Sequence, residues 1–322
     1  MKWTLLLTLL MLGGPAYPDI RGPIAGFYVD HQRGTIRSIL GIPGAALIGP
    51  DVTLPFTISD GVLSPTSDFA LVVSTEDGEP VYLIRALLSG MPEVIPIKNA
   101  LPGPKLLAMN AASSIAVLAS RSGMQVQTVT GLPEVPVASA PVNTLGVVSE
   151  ITTLALDNSG SRLLLGSSDG VQGAVYSLQM QNPVSRLITP AGRPSAILFI
   201  NGDRDAVIAD RVLNQITLVT DVDGSANASP LAVQGDGIVD PTGLQRLSNG
   251  QILAVTNADH GLKLISTDPV LNISTIQTDW PVTRCDRLGD GSAILLNEQN
   301  GVPLQLLDPT QNGRVFFVPM QQ

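Results

Sequence analysis

A six-residue, mostly apolar signature recurs along this chain at an interval of about 44 residues, and that interval restricts the fold more than any other feature. The copies begin at Phe69, Ile115, Arg162, Asp205, Gln251 and Ser292, spaced 46, 47, 43, 46 and 41 residues apart. A weaker copy, Gly26-Phe27-Tyr28-Val29-Asp30, stands 43 residues before Phe69. Each copy is short, rich in Val, Leu, Ile and Ala, and bounded by polar turn residues, which is how a strand covered on both faces reads.

The flanks of the copies repeat as well. Several are preceded by a strand ending in a tight polar turn, as in Leu154-Ala155-Leu156-Asp157-Asn158-Ser159-Gly160 and Leu244-Gln245-Arg246-Leu247-Ser248-Asn249-Gly250. Asn-Gly and Asp-Gly favour the left-handed backbone that two-residue hairpins require. A third strand follows each copy, for example Val81-Tyr82-Leu83-Ile84 and Leu262-Lys263-Leu264-Ile265, and a less regular fourth closes several units, as in Val94-Ile95-Pro96-Ile97. Four antiparallel strands in this period make an all-β chain and fit the blade of a β-propeller. One blade cannot bury its own faces, so the blades must close into a ring. No segment of the mature chain carries a convincing helical stripe, and a parallel β-helix or a large sandwich would repeat less uniformly.

Six full units run from about Ile58 to Val318, and Gly26–Ile48 holds two or three further short strands. Seven four-stranded blades within residues 26–319 are expected, and six blades with an extra N-terminal hairpin are the alternative. Arg314-Val315-Phe316-Phe317-Val318 is too apolar to be left as a free edge. It is expected to pair with a strand within Gly26–Ile39, so that the two terminal segments share one blade.

The rhythm of these strands resembles exported bacterial β-propellers of the general YVTN/NHL/WD-like type. The resemblance covers nearly the whole mature chain and rests on blade rhythm. No Trp-Asp dipeptide closes any blade, and Trp280 is the single tryptophan of the mature chain. Such families are functionally mixed, so the likeness implies a scaffold and no particular reaction.

Residues 1–16 read as an export signal. Lys2 gives the positive start, Leu5–Leu12 the apolar core, and Gly14 and Ala16 the small residues before cleavage. That core is much shorter than the roughly 20 residues a membrane span needs. A short segment, 17–25, would lead from it into the propeller. The expected product is secreted or periplasmic, without a transmembrane segment, and monomeric. Net charge is −9, and removal of Lys2 leaves −10. With no dense basic patch, nucleic-acid binding is not expected. One cysteine, Cys285, excludes an intrachain disulfide framework, and two histidines exclude a three-histidine zinc centre.

Candidate site residues come from the loops after the second strands: Glu76, Asp77, Arg121, Asp169, Asp210, Arg211, Asn257, Asp259, His260, Glu298 and Asn300. A ring of Asp, Glu and Asn oxygens could hold calcium or magnesium. The same residue types also cap hairpins. Sugar lactonases on related propellers use a metal held by Glu, Asn and Asp, but their motif does not map residue by residue onto this chain. Asp221-Val222-Asp223-Gly224-Ser225 begins like a calcium loop, yet no late acid completes it. His31 lies in a turn between Asp30 and Gln32, and Arg284 and Arg287 flank Cys285, whose place in a strand argues for burial. Asn227 and Asn272 head glycosylation sequons. No nucleophile elbow and no phosphate-binding loop is present.

These observations favour an exported binding or interaction scaffold with a protein or glycan partner and no cofactor. The alternative is a divalent-metal-dependent hydrolase or lactonase using acids at the central channel, and a quinone-dependent redox enzyme is disfavoured by the single mature tryptophan.

Overall fold

The computed structural model describes residues 23–320, except 121–124, 145–149, 182, 258–259, 268–269, 290, 292, 299–300 and 311–312. The expected signal segment lies outside the described residues, and segment 17–25 is described only from Pro23. Seven antiparallel sheets follow one another in chain order as the seven blades of a propeller. Helical structure among the described residues is limited to two short 3₁₀ turns, Leu87–Ser89 and Gln234–Asp236. No helix among them is long and apolar enough to cross a membrane.

Burial follows the chemistry of the repeat. Second strands such as Phe69–Ser74, Arg162–Ser168 and Asp205–Asp210 are buried along their whole length. Seven apolar clusters form, one at each interface between neighbouring blades. Leu71 and Leu118 meet between blades 2 and 3, and Leu253 and Ile294 between blades 6 and 7. Each fully buried aliphatic side chain of this kind contributes roughly 1.5–3 kcal/mol relative to exposure.

In blades 2 to 7 the first strand of the sheet lines the axis, and these inner strands run in one direction. Near their starts, Thr152 Oγ1 donates to the Pro194 carbonyl at 2.6 Å and Ser195 Oγ to that of Pro241 at 2.6 Å. Near their ends, the Asn158 amide donates to Asp203 Oδ2 at 2.8 Å. The end where inner strands begin is called the upper end below, and the end where they finish the lower.

Blade 1 differs. Its described sheet has three strands, Ile24–Asp30, Thr35–Leu40 and Leu47–Asp51. The first runs against its neighbours. Arg284, just before the inner strand Asp286–Leu288 of blade 7, donates to the Val29 carbonyl at 2.6 Å, while Leu288 at the far end of that strand abuts Gly26. Ile24–Asp30 therefore has the direction of a second strand. It also has a second strand's burial, with Phe27, Tyr28 and Val29 each no more than 3% exposed. This agrees with the sequence, where Gly26–Asp30 aligns with the second-strand copies.

The expected sharing of a blade by the two ends of the chain is not what the structure shows. Arg314–Val318 pairs with Leu304–Asp308 inside blade 7, and Ile24–Asp30 pairs with Thr35–Leu40 inside blade 1. The seam is closed by side chains: Tyr28, Ile39 and Ile48 of blade 1 pack with Leu288, Leu306 and Val318 of blade 7. Phe316 still meets the N-terminal region, with its ring against Gly44, and Phe317 stacks edge-on against Trp280 at 5.1 Å.

The turns after the inner strands are also wider than two residues. In blade 6 the Gly250 amide bonds to the Leu247 carbonyl and the Leu247 amide to that of Gln251. Gly250 takes a φ of +86°, the left-handed residue of a three-residue turn. Where glycine is absent, a side chain does part of the work: Asn110 Oδ1 accepts the amides of Ser114 and Ile115, and Ser113 takes the left-handed position.

Candidate functional site

Among the described residues, Ile24–Asp30 is the first strand of blade 1, and at the upper end of the channel side chains gather beside its end. His31 follows directly after Ile24–Asp30 and stands between two blades. Its Nδ1 is 2.6 Å from Glu298 Oε1 of blade 7, and its Nε2 is 3.4 Å from Asp60 Oδ1 of blade 2. Arg284 Nη1 lies 3.4 Å from the same Glu298 oxygen, and Arg284 Nε donates to Asp286 Oδ2 at 2.5 Å. Asp60 is fixed by the Gly61 amide at 2.7 Å. The hydrogen bond to Asp60 raises the His31 pKa above its ordinary value; partial burial opposes this, and Glu298 adds to the rise.

His31, Arg284, Asp286 and Glu298 line an upper cavity of about 440 Å³, together with the hydroxyl-bearing Thr153, Thr242 and Thr283. Below it lies a channel cavity of about 520 Å³, walled by inner strands of every blade that has one and by Tyr28 and Val29 of blade 1. Leu154, Ile197 and Leu244 border both cavities, as do Arg284, Cys285 and Asp286. The lower cavity is mainly aliphatic. Leu63, Met109, Leu154, Leu198, Phe199 and Leu244 are each only partly buried, unlike the side chains of the second strands. Its lower mouth is polar, with Asn158, Asp203, Arg246 and Arg287.

Of the loop residues singled out from the sequence, Glu298 reaches this site and the other described ones do not. Glu76 accepts hydrogen bonds from Ser74 and the Tyr82 hydroxyl, and Asp77 is exposed. Asp169 Oδ1 caps its own turn through the amides of Val171 and Gln172, which hold its pKa below the usual carboxylate value. Asp210 accepts four backbone amides, those of Gly192, Arg193, Val212 and Leu213. Arg211 forms a two-pronged pair with Asp240, and Asn257 bonds to the same carboxylate. His260 contributes its carbonyl to Thr278. Arg121, Asp259 and Asn300 lie outside the described residues. Asp221 accepts the Ser225 amide and Asp223 pairs with Arg162, so that segment is a capped turn.

No three His, Cys, Asp or Glu groups among the described residues are placed to hold a metal ion together. Of the described donors expected for a divalent cation, Asp169 and Asp210 accept backbone amides, Glu76 accepts the hydroxyls of Ser74 and Tyr82, and Glu298 pairs with His31 and Arg284. Cys285 borders both cavities, and desolvation with the nearby Asp286 carboxylate pushes its thiol up, away from the reactive thiolate. Asn227 and Asn272 are exposed at the starts of outer strands.

The sequence alone singles out His31 and Glu298 but not their meeting. Asp60 was missed because it sits within an inner strand, Ile58–Leu63, and not in a loop. The alignment of Gly26–Asp30 with the second strands carries the signal, since it puts His31 in the same class of loop as Glu298.

No protein-family model matches the chain, and no curated protein matches it. Solved structures share its architecture at low identity. A functionally unknown protein from Desulfotomaculum acetoxidans superposes with a TM-score of 0.67 at 13% identity, over 91% of this chain and 94% of that one. A virginiamycin B lyase from Staphylococcus aureus gives 0.61 at 13%, over 81% and 84%. A candidate 6-phosphogluconolactonase from Bacteroides fragilis gives 0.63 at 12%, over 92% of each. At such identities the likeness is one of fold.

Proposed function

We propose that this chain is an exported, monomeric binding protein without catalytic activity, whose ligand is seated in the central channel. One observation carries the reading: the channel wall is built of half-buried leucine, methionine and phenylalanine side chains facing an open cavity of about 520 Å³. Apolar surface left facing an internal space of this size gains free energy when a ligand covers it, and ligand pockets fall in this range of volume and character. The polar groups at the two mouths would orient the ligand. The protein or glycan partner expected from the sequence would instead meet the outer loops, where the described acids are occupied in capping.

The neighbouring folds include proteins named as a lyase and a candidate lactonase, so the competing reading is an enzyme of the upper mouth. Incubation of the purified protein with a panel of esters and lactones separates the two. No turnover is expected. Hydrolysis that disappears in Glu298→Gln would overturn the binding reading. The binding reading itself predicts a saturable rise in the thermal midpoint with amphipathic small molecules.

A further inference from the structure

The loops at the two ends of the ring differ in chemistry. Connections from second to third strands lie at the upper end, and each of the seven holds a charged residue, as with Arg33, Glu76, Asp169, Arg211 and Glu298. Connections from third to fourth strands lie at the lower end. There the Leu87 amide bonds to the Asp68 carbonyl, Leu132 to Ser114, Met180 to Ser161 and Val222 to Arg204, each time to the turn that follows the inner strand of the same blade. The connections of this kind in blades 1, 2, 4 and 7 hold no charged residue. Those of blades 1, 2, 3, 4 and 6 put a large aliphatic side chain in the open: Ile42, Met91, Val135, Val184 and Val270 are 61 to 78% exposed. One exposed aliphatic is ordinary, but recurrence in the same connection of five blades makes a surface. Third and fourth strands are the outer strands of a blade, so these tips ring the perimeter of the lower end.

We propose that the lower end of the ring rests on a lipid bilayer, with the five tips entering the interface. Two observations favour lipid. A bilayer interface accepts aliphatic tips and disfavours buried charge, and charge is scarce in these connections while it is present in every one at the opposite end. The apolar octet Leu5–Leu12, read above as the core of an export signal that engages a membrane, is also joined to the propeller at this end: ten residues separate it from Pro23, and the first described strand starts at the lower end, where Gly26 abuts Leu288. With a net charge of −9 the chain is repelled by anionic lipid, so the surface it fits is zwitterionic. The proposal is independent of the channel reading.

Flotation of the full-length protein with phosphatidylcholine vesicles, at low salt and in about 1 M sodium chloride, tests this. Binding is expected in both, because burial of aliphatic tips is not screened as charge pairs are. Met91→Gln combined with Val135→Gln should weaken it about tenfold, the effect of withdrawing two partly buried side chains. Val171→Gln combined with Leu213→Gln, in upper connections, should leave it unchanged. All four side chains are more than half exposed, so the thermal midpoint should hold. Both variants keep Leu5–Leu12, so a loss confined to the first pair cannot come from that octet. A second lower pair, Ile42→Gln with Val270→Gln, repeats the comparison on other blades if the first pair fails to fold. No flotation with vesicles, flotation lost in high salt, or equal binding by the lower and upper variants would overturn the proposal.

Discussion

The imidazole Nδ1 of His31 and the carboxylate Oε1 of Glu298 meet at 2.6 Å across 267 residues of chain, and they do so at the seam where the last blade packs on the first. The contact is part of a row that crosses the seam, from Asp60 through His31 and Glu298 to Arg284 and Asp286.

That row makes the seam sensitive to pH. The groups facing His31 are Asp60, Glu298 and Arg284, and the balance raises its pKa. A histidine raised in the folded state contributes stability that is complete below the unfolded pKa, about 6.5, and is lost as pH rises through the folded value. His31→Gln should therefore lower the thermal midpoint more at pH 5.5 than at pH 8.5, by an amount on the order of 1 kcal/mol or less for a half-exposed pair. An equal effect at both pH values would show that the imidazole acts through packing alone.

At Gly26 the backbones of blades 1 and 7 approach closely. A β-carbon there would lie 2.8 Å from the Gly289 nitrogen and 2.9 Å from Leu288 Cβ. Gly26→Ala should cost about 1–3 kcal/mol through overpacking against backbone that cannot withdraw, read as a lower midpoint in denaturant at unchanged slope.

Gln127 and Gln305 occupy corresponding places on the third strands of blades 3 and 7, and both are fully buried. Gln127 accepts the Leu101 amide at 2.5 Å and donates to the carbonyls of Asn99 and Ser139. Among the described residues neither side-chain amide atom of Gln305 has a hydrogen-bond partner. Substitution by methionine, similar in shape, should cost roughly 2–3 kcal/mol at Gln127 and be near neutral or stabilising at Gln305. Equal losses in urea unfolding would refute the distinction.

Truncation after Asn312 removes Arg314–Val318, whose Val318 is fully buried in the seam cluster, and uncovers the edge of Leu304–Asp308. The thermal midpoint should fall by well over 3 °C, the change expected for about 1 kcal/mol in a domain of this size. A smaller shift would make the strand an ornament of blade 7.

The ring was legible in the sequence because its main determinant is local. A run such as Phe69–Ser74, small, aliphatic and flanked by turns, declares itself a strand covered on both sides, and its recurrence counts the blades. The partner of Arg314–Val318 was not legible, since apolar content says that a strand must be covered but not whether backbone or rings do it. Phe316 finds its cover partly in Gly44, a contact of one face and not of an edge. The site was legible in pieces. His31 and Glu298 stand out as residue types, but Asp210 stands out equally and spends all its capacity on four amides. Only the fold tells a carboxylate that caps a turn from one that faces a cavity.

The seam also sets how the molecule answers a mechanical load. The described chain enters blade 1 at the lower end, at Ile24, and its last strand finishes at the upper end, at Val318, one blade away. Tension between these points slides blade 7 past blade 1 along their shared face. Among the described residues no paired backbone crosses that face to resist it, only apolar side chains and the polar row at the top, so under force the ring parts there as a slipping contact.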